Sequence, residues 1–523
     1  MLDNLVQQPK LADRIETKAR QLQRNGLFQL FQADKSRFER FKFDLDALTI
    51  DLSKHFIDTE SVNLLTDFAK QKQLEKKIKS LFTGELVNQS EQRAALHIAL
   101  RDVTHVYPYE VAIHQQVQGE LQQMREFSQA FDQGKITGYD DQSIENIIHI
   151  GIGGSELGPK LLYEVIKTEN HRTKVHFVSG VDEDALQSLL KRINPATTLC
   201  CIASKSFTTE ETLLNAVVIK DWLQQNAGDL NWQSQLVGIS ANPAAMTEFG
   251  IAENRQFFIW DWVGGRYSIW SAISLSVVLA CGYQQFYEFL QGAALVDKHF
   301  YTTTMEKNLP VLLAFLNYNY TQFFHAQTQM LAVYHEKLKY LPGYLQQLFM
   351  ESLGKQVDMQ GKRLQKPTGQ IVWGGLGCNG QHAYYQMLHQ GQHFIPVDFF
   401  VMAADSVANS AHEQHNFTNA LAQARALMLG KSAEDNTKYY PGNQPSTTIL
   451  FAKLDAKTLG LLIALYEHII YVQSVFLNIN PFDQFGVELG KNISATIKQA
   501  LLSGNYDELD QSTAGLIQGV NSP

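Results

Sequence analysis

Ile147-Ile-His-Ile-Gly-Ile-Gly-Gly-Ser-Glu-Leu-Gly-Pro159 is the stretch on which the fold turns. The run Ile147–Ile150 reads as a buried strand. The glycines of Gly151–Pro159 read as the turn at its carboxyl end, opening a helix. The pattern recurs where Leu199-Cys-Cys-Ile202 runs into Ser204-Lys-Ser-Phe-Thr-Thr209. Open α/β sheets hold ligands at such turns. Glycines let the backbone approach a ligand closely, and free amides at a helix start favour an anion. A cluster of hydroxyls then completes a cradle suited to a phosphate monoester.

Working outward, short β-branched runs alternate with longer amphipathic segments from about residue 145. Ile147–Ile150, Val175–Val178, Leu199–Ile202, Leu236–Ile239 and Phe257–Ile259 are expected strands of one parallel sheet. A second series, Leu331–Tyr334, Ile371–Trp373, Phe394–Ile395 and Thr448–Phe451, is expected to form another. Between them, about 268 to 327 reads as helix. Residues 1 to about 110, rich in Gln, Lys, Glu and Leu, read as helices with solvated faces. The predicted fold class is therefore α/β: two doubly wound parallel-sheet units wrapped by helical N- and C-terminal segments.

Composition narrows the function. With 523 residues, 45% of them hydrophobic, the chain can bury a large core shared by two or three domains. Forty-four basic against 53 acidic side chains leave a net charge of −9, which argues against nucleic acid or an anionic membrane as the main partner. The N-terminus lacks the charged start and apolar stretch of a signal peptide. Ile269–Cys281 is interrupted by serines and too short to span a bilayer. Four cysteines show neither metal-ligand spacing nor a disulfide framework. A cytoplasmic location is the expectation.

The loops also admit plainer readings. A dinucleotide fingerprint would place its third glycine at 156, where Glu156 stands, and no segment matches a P-loop. Asp182, after the next strand, is the obvious candidate for a ribose-binding acid. Ser204–Thr209 could be an ordinary helix start, capped by Thr208 or Thr209 with Glu211 in the first turn. That would need one hydroxyl, whereas four occur in six residues, with Lys205 available for charge. In Val263-Gly-Gly-Arg-Tyr-Ser268 a third glycine turn follows a strand, so Arg266 would stand at the same sheet edge, able to stabilise an oxyanion. Gln347 and Glu351, one helical turn apart, His382 in Gly377-Cys-Asn-Gly-Gln-His382 and Lys491 in Gly486-Val-Glu-Leu-Gly-Lys491 are candidates that pattern alone does not separate from surface residues.

Taken in order, Gly151–Pro159, Ser204–Thr212, Val263–Ala272, Met350–Lys355, Asn379–Gly391 and Phe482–Lys491 closely resemble the glucose-6-phosphate isomerase (phosphoglucose isomerase) family. Asn88–Arg101, Leu421–Lys431 and Gly442–Ser446 are similar to its segments as well. The resemblance implies two sugar-isomerase (SIS) domains: 111–285 with the phosphate loops, and 286–500 with the base, histidine and lysine. A helical segment, 1–110, would pack on the second domain, and 501–523 would form a C-terminal segment. It implies a cofactor-free, metal-free interconversion of glucose 6-phosphate and fructose 6-phosphate, by a homodimer whose sites lie at the subunit interface. By the same resemblance Ser204, Lys205, Ser206 and Thr209 bind phosphate. Gly154, Ser155, Gln347 and Gln484 contact the sugar, and Arg266 stands beside the reacting carbons. Glu351 is the proton-transfer base. His382, supplied by the neighbouring subunit, and Lys491 open the ring.

The chain departs from the family pattern at several positions. Glu210 replaces a Gln beside the phosphate loop, and Leu353 replaces the Asn of Met-Glu-Ser-Asn-Gly. Gly375, Leu376 and Cys378 stand in Gly374-Gly-Leu-Gly-Cys378 where the family has Gly-Glu-Pro-Gly-Thr. Gln444 stands where Gly-Asn-Arg-Pro-Ser has Arg. Every proposed catalytic side chain is nonetheless present.

Overall fold

The strands gather into two sheets, and each sheet reverses its winding once. A computed structural model of the chain describes residues 10–403, 408 and 410–520. Two strands near the N-terminus, β1 (Lys42–Leu45) and β2 (Leu48–Asp51), precede the first α/β series. That series comprises β3 (Asn146–Ile150), β4 (Lys174–Val178), β5 (Thr198–Ala203), β6 (Leu236–Ser240) and β7 (Gln256–Phe258). These five lie in the order β4-β3-β5-β6-β7, all parallel. The chain leaves β3 toward β4 on one side and returns to β5 on the other. The crevice outside the carboxyl ends of β3 and β5 is therefore a topological switch point.

The second series is β8 (Thr328–Val333), β9 (Ile371–Leu376), β10 (Val397–Met402) and β11 (Ser446–Phe451). Its sheet runs β1-β2-β11-β10-β8-β9; β8 to β11 are parallel, and β1 and β2 add an antiparallel margin. Both sheets are sandwiched by helices, so the central strands are buried on both faces, as the six residues of β5 show. This is the expected α/β class with two doubly wound sheets.

Some expected elements sit elsewhere. The strand anticipated at Phe394–Ile395 is Val397–Met402. Pro396 lacks an N–H and offers only its carbonyl, to the Met330 amide. Phe394 instead packs with Phe56, Tyr320 and Phe324, at ring distances of 6.1, 5.4 and 5.1 Å. Among the described residues the N-terminal stretch is helical over Leu11–Asn25, Leu27–Ala33, Arg37–Phe41, Thr59–Gln71 and Leu74–Thr83. The β1–β2 hairpin interrupts it, with Asp46 in its turn at φ 51°. From 84 to 110 it departs from the expected helix and runs as turns and loops around the 3-10 turn His97–Leu100. The longest apolar helix, Ala456–Leu477, has the length and composition of a membrane span, yet it is 94% buried inside the fold. Contacts divide the chain into two units, one ending at Pro481 and one beginning at Phe482. Among the described residues the second contains a short 3-10 turn, Phe485–Val487, and the helices Glu488–Ser503 and Gln511–Val520.

A buried ionic cluster joins the helical layers of the first unit. Arg101 donates to both oxygens of Asp297, each at 2.7 Å, and to Glu467 at 2.5 Å. Trp270 Nε1 donates to Glu467 at 2.8 Å, and His468 Nε2 lies 2.6 Å from Asp297. Burial pushes Glu467 up to about 7, with Arg101 and Trp270 pulling against it. Burial works the same way on Asp297, but Arg101 and His468 outweigh it and hold that carboxyl below its ordinary value. Removing one partner of such a cluster strands the others without solvent or countercharge. Arg101→Met is expected to lower folding stability by about 3–5 kcal/mol, read as a fall in the urea midpoint.

Candidate active site

The two loops that open the sequence lie side by side. Ile150, the last residue of β3, pairs with Ile202 of β5, so the turns that follow them share the switch point. Gly153 adopts φ 59°, ψ −123°, a conformation open to glycine, and starts the helix Gly154–Ile166. Its neighbour Gly154 packs so closely on Gly265 that a Cβ would collide with the Gly265 carbonyl. Ser268 Oγ ties the two turns, donating to Gly265 O at 2.7 Å and lying 3.4 Å from Gly154 O. Beneath them, fully buried His149 bonds the Ser155 carbonyl through Nε2 at 2.7 Å and Ser276 through Nδ1 at 2.8 Å. Burial lowers this imidazole to about 4, so it is neutral at physiological pH and serves as scaffold.

In the second loop, Ser204 Oγ donates to Thr209 Oγ1 at 3.2 Å, and Ser206 Oγ lies 2.7 Å from Thr208 Oγ1. Phe207 takes φ 54° and buries its ring against Phe249, which anchors the loop crest. The helix Glu210–Ala227 begins directly after Thr209, which makes no side-chain capping bond. The capping role open to Thr209 in the sequence is therefore not used, and Glu210 and Glu211 form the first turn. Lys205 donates to the carbonyls of Asp261 and Val263 at 2.8 and 2.9 Å, stitching this loop to the third glycine turn. Burial pushes its ammonium below the ordinary lysine range, against the pull of the Asp261 carboxylate.

Arg266 stands on the 3-10 turn Gly265–Trp270, almost wholly buried. Its Nε donates to Ser352 Oγ at 2.7 Å and its Nη2 to Pro481 O at 2.6 Å, while Nη1 lies 3.1 Å from Glu351 Oε2. Glu351 and Ser352 end the helix Leu341–Leu353, which starts with proline at its first turn. One turn before Glu351, Gln347 reaches toward Gly153. Its Oε1 is buried with no hydrogen-bond partner among the described residues. An orphaned acceptor beside a glycine turn is positioned to receive a ligand hydroxyl.

The structure thus brings together Gly154, Ser155, Ser204, Lys205, Ser206, Thr209, Arg266, Gln347 and Glu351. His382 follows β9, an edge strand, at the end of a short helix, with its side chain exposed. Gln484 and Lys491 belong to the second unit; Gln484 precedes the 3-10 turn, and Lys491 is exposed on the helix Glu488–Ser503. Asp182, the ribose candidate, is a helix cap that accepts from the Ala185 amide at 2.9 Å. Among the departures, Gln444 bonds the backbone of His393 and Ile395, and Cys378 faces Asn416 at 3.2 Å. Leu353 is buried. Sequence reasoning passed over Ser352, Tyr267, Pro481 and His149. Ser352 could have been found as a hydroxyl adjoining Glu351, whereas the carbonyl of Pro481 leaves no trace in side-chain pattern.

Among the described residues no cluster of three His, Cys, Asp or Glu side chains is arranged to hold a metal ion. The phosphoglucose isomerase family model matches residues 51–517. A glucose-6-phosphate isomerase of Burkholderia orbicola is 42% identical over 500 residues, covering 92% of both chains. One from Burkholderia multivorans is 42% identical over 499 residues, with the same coverage. The crystal structure of a glucose-6-phosphate isomerase from Chlamydia trachomatis superposes with a TM-score of 0.88 at 29% identity, covering 98% of this chain and 99% of that one. A hypothetical protein from Thermus thermophilus, at 23% identity and a TM-score of 0.65 over 82% of this chain and 96% of its own, shares the fold. With the family model spanning most of its length and relatives this similar at both levels, the chain belongs to the phosphoglucose isomerase family.

Proposed function

We propose that this chain interconverts glucose 6-phosphate and fructose 6-phosphate, a step of glycolysis and gluconeogenesis, through proton transfers by its own side chains. The observation that carries the reading is the Arg266–Glu351 pair, 3.1 Å apart, standing beside two anion-cradling loops at one switch point. An aldose and its ketose differ by two hydrogens shifted between C1 and C2, so the molecule oxidises one carbon as it reduces the other. A base that moves one proton between the carbons, passage of the O2 hydroxyl proton to O1, and a cation that steadies the intervening oxygen charge are sufficient.

In this reading Ser204, Ser206, Thr209 and the amides at the start of the following helix hold the phosphate, and Lys205 contributes charge. Gly154, Ser155 and Gln347 line the sugar, and Gln484 is assigned to it by the family resemblance alone. Ring opening needs an acid at the ring oxygen and a base at the anomeric hydroxyl, assigned to His382 and Lys491. Glu351 then removes the C2 proton and returns it at C1 through a cis-enediol(ate), while Arg266 offsets the developing negative charge. Fixing the phosphate holds the reacting carbons within reach of Glu351. Glu351→Gln is expected to lose roughly 10²–10⁴-fold in turnover, the range for a general base. The same variant keeps its thermal stabilisation by fructose 6-phosphate and ceases to exchange the C2 proton with deuterated solvent. Retained exchange would remove Glu351 as the base.

A homodimer, with His382 donated across the interface, completes the proposal. Its support is the exposed imidazole of His382 and, within the C-terminal unit, apolar side chains left open to solvent. Leu489, Ile493, Leu501 and Leu502 on one helix and Leu516 and Val520 on the next are exposed apolar side chains of the kind a second copy would cover. A cytoplasmic location belongs to the same reading, in keeping with four unpaired cysteines. Mixing inactive His382→Ala with inactive Glu351→Gln and allowing subunits to exchange is expected to restore activity that neither parent has. Failure to regain activity in a mixture shown by sedimentation to contain hybrids would overturn the shared site.

A further inference from the structure

Arg266 meets two neutral acceptors before it meets Glu351. A guanidinium binds carboxylates most firmly through its side-on fork, with Nε and Nη2 donating two parallel bonds. Here Nε–H is committed to Ser352 Oγ at 2.7 Å and an Nη2–H to Pro481 O at 2.6 Å. Glu351 is met through Nη1, at 3.1 Å. We infer that Ser352 is a positioning residue for the reaction, occupying the side-on fork of Arg266 so that it cannot close on Glu351 and mask the base. The inference rests on the assignment of Glu351 as the base.

The hydroxyl is well placed for this task. Ser352 is fully buried, so no water competes for the Arg266 Nε–H. It is itself held by Tyr267, whose hydroxyl lies 3.1 Å from Ser352 Oγ. Tyr267 stacks on His97 at 4.5 Å, and His97 Nε2 lies 3.8 Å from Glu467 in the buried ionic cluster. Tyr344, two turns before Ser352 on the same helix, donates to the Arg266 carbonyl at 3.3 Å. One helix therefore supplies the base, holds the backbone of the arginine and occupies one arm of its fork. The neutral acceptors matter chemically. A second N–H on the Glu351 carboxylate would stabilise its charged form and reduce its readiness to take a proton from carbon.

The ionisable groups packed around the pair are Tyr267, Tyr344 and His97, with Glu467 and Arg101 behind them. Burial holds both phenols protonated and His97 neutral near neutral pH. Glu467, pushed up to about 7 by burial, titrates within the range of the profile, but it is the same in all three enzymes, so a difference among them reports on Ser352. In Ser352→Ala the freed Nε–H loses its buried acceptor, and Glu351 is the anionic acceptor within reach.

The test is the pH profile of kcat for wild type, Ser352→Ala and Ser352→Thr, with fructose 6-phosphate as substrate. Ser352→Ala is expected to lower kcat roughly 10- to 100-fold, as a misplaced catalytic group does. KM should stay within about threefold, because the phosphate loops are untouched. The acidic limb should move to lower pH, and Ser352→Thr, which keeps the hydroxyl, should leave that limb at its wild-type position. A Ser352→Ala enzyme with wild-type kcat, or with reduced kcat and an unmoved acidic limb, overturns the inference. Glu351→Gln measured alongside separates the two failures. If that variant is active the base assignment falls. If it is inactive while Ser352→Ala behaves as wild type, only the role of Ser352 falls.

Discussion

A buried guanidinium must be paired on all sides or not be buried at all, and Arg266 is where this requirement shapes the molecule. Stripping a cation of water costs several kcal/mol unless hydrogen bonds replace the lost hydration. The replacements come from distant parts of the chain. Glu351 and Ser352 lie on the helix after β8, Pro481 follows the long core helix, and the arginine itself stands on a turn after the last strand of the first sheet. Each contact therefore fixes one half of the first unit against the other.

Both sheets obey one topological rule, and the site exploits the first. Winding outward from β3 to β4 and then back past it to β5 opens a crevice that no connection crosses. The glycine and hydroxyl loops border that crevice, and Lys205 sews the hydroxyl loop to the arginine turn through two backbone carbonyls. The second sheet contributes a helix rather than a crevice. The helix Leu341–Leu353 follows β8 and delivers Gln347 and Glu351 on one face while Ser352 turns inward. Rigid elements thus carry Glu351 and Arg266, and the loops carry the hydroxyls and glycines beside them.

Much of this was legible beforehand. The strands of the first sheet were read within a residue or two, because buried parallel strands are continuous apolar runs ended by glycine or hydroxyl turns. The glycine and hydroxyl turns after β3 and β5 were legible for the same reason. Gln347, Glu351, His382 and Lys491 were not selectable by residue pattern, since a polar residue on a helix or in a turn looks the same whether it faces solvent or a ligand. They entered through the likeness of whole motifs. Phe394–Ile395 failed as a strand because an aromatic pair before a proline satisfies the apolar pattern while serving a ring cluster.

What the sequence determined by itself was local: where strands end, where glycine permits a tight turn, and which loops offer amides and hydroxyls to an anion. These depend on neighbours along the chain, through backbone sterics and hydrogen bonding. Only the tertiary structure decided which of the many polar side chains meet. Arg266 finds Ser352 across 86 positions and Pro481 across 215, and the latter contact uses a carbonyl that every residue possesses. Partners of that kind are set by burial and by the need to satisfy a charge where water cannot follow, and neither is written in the spacing of residues.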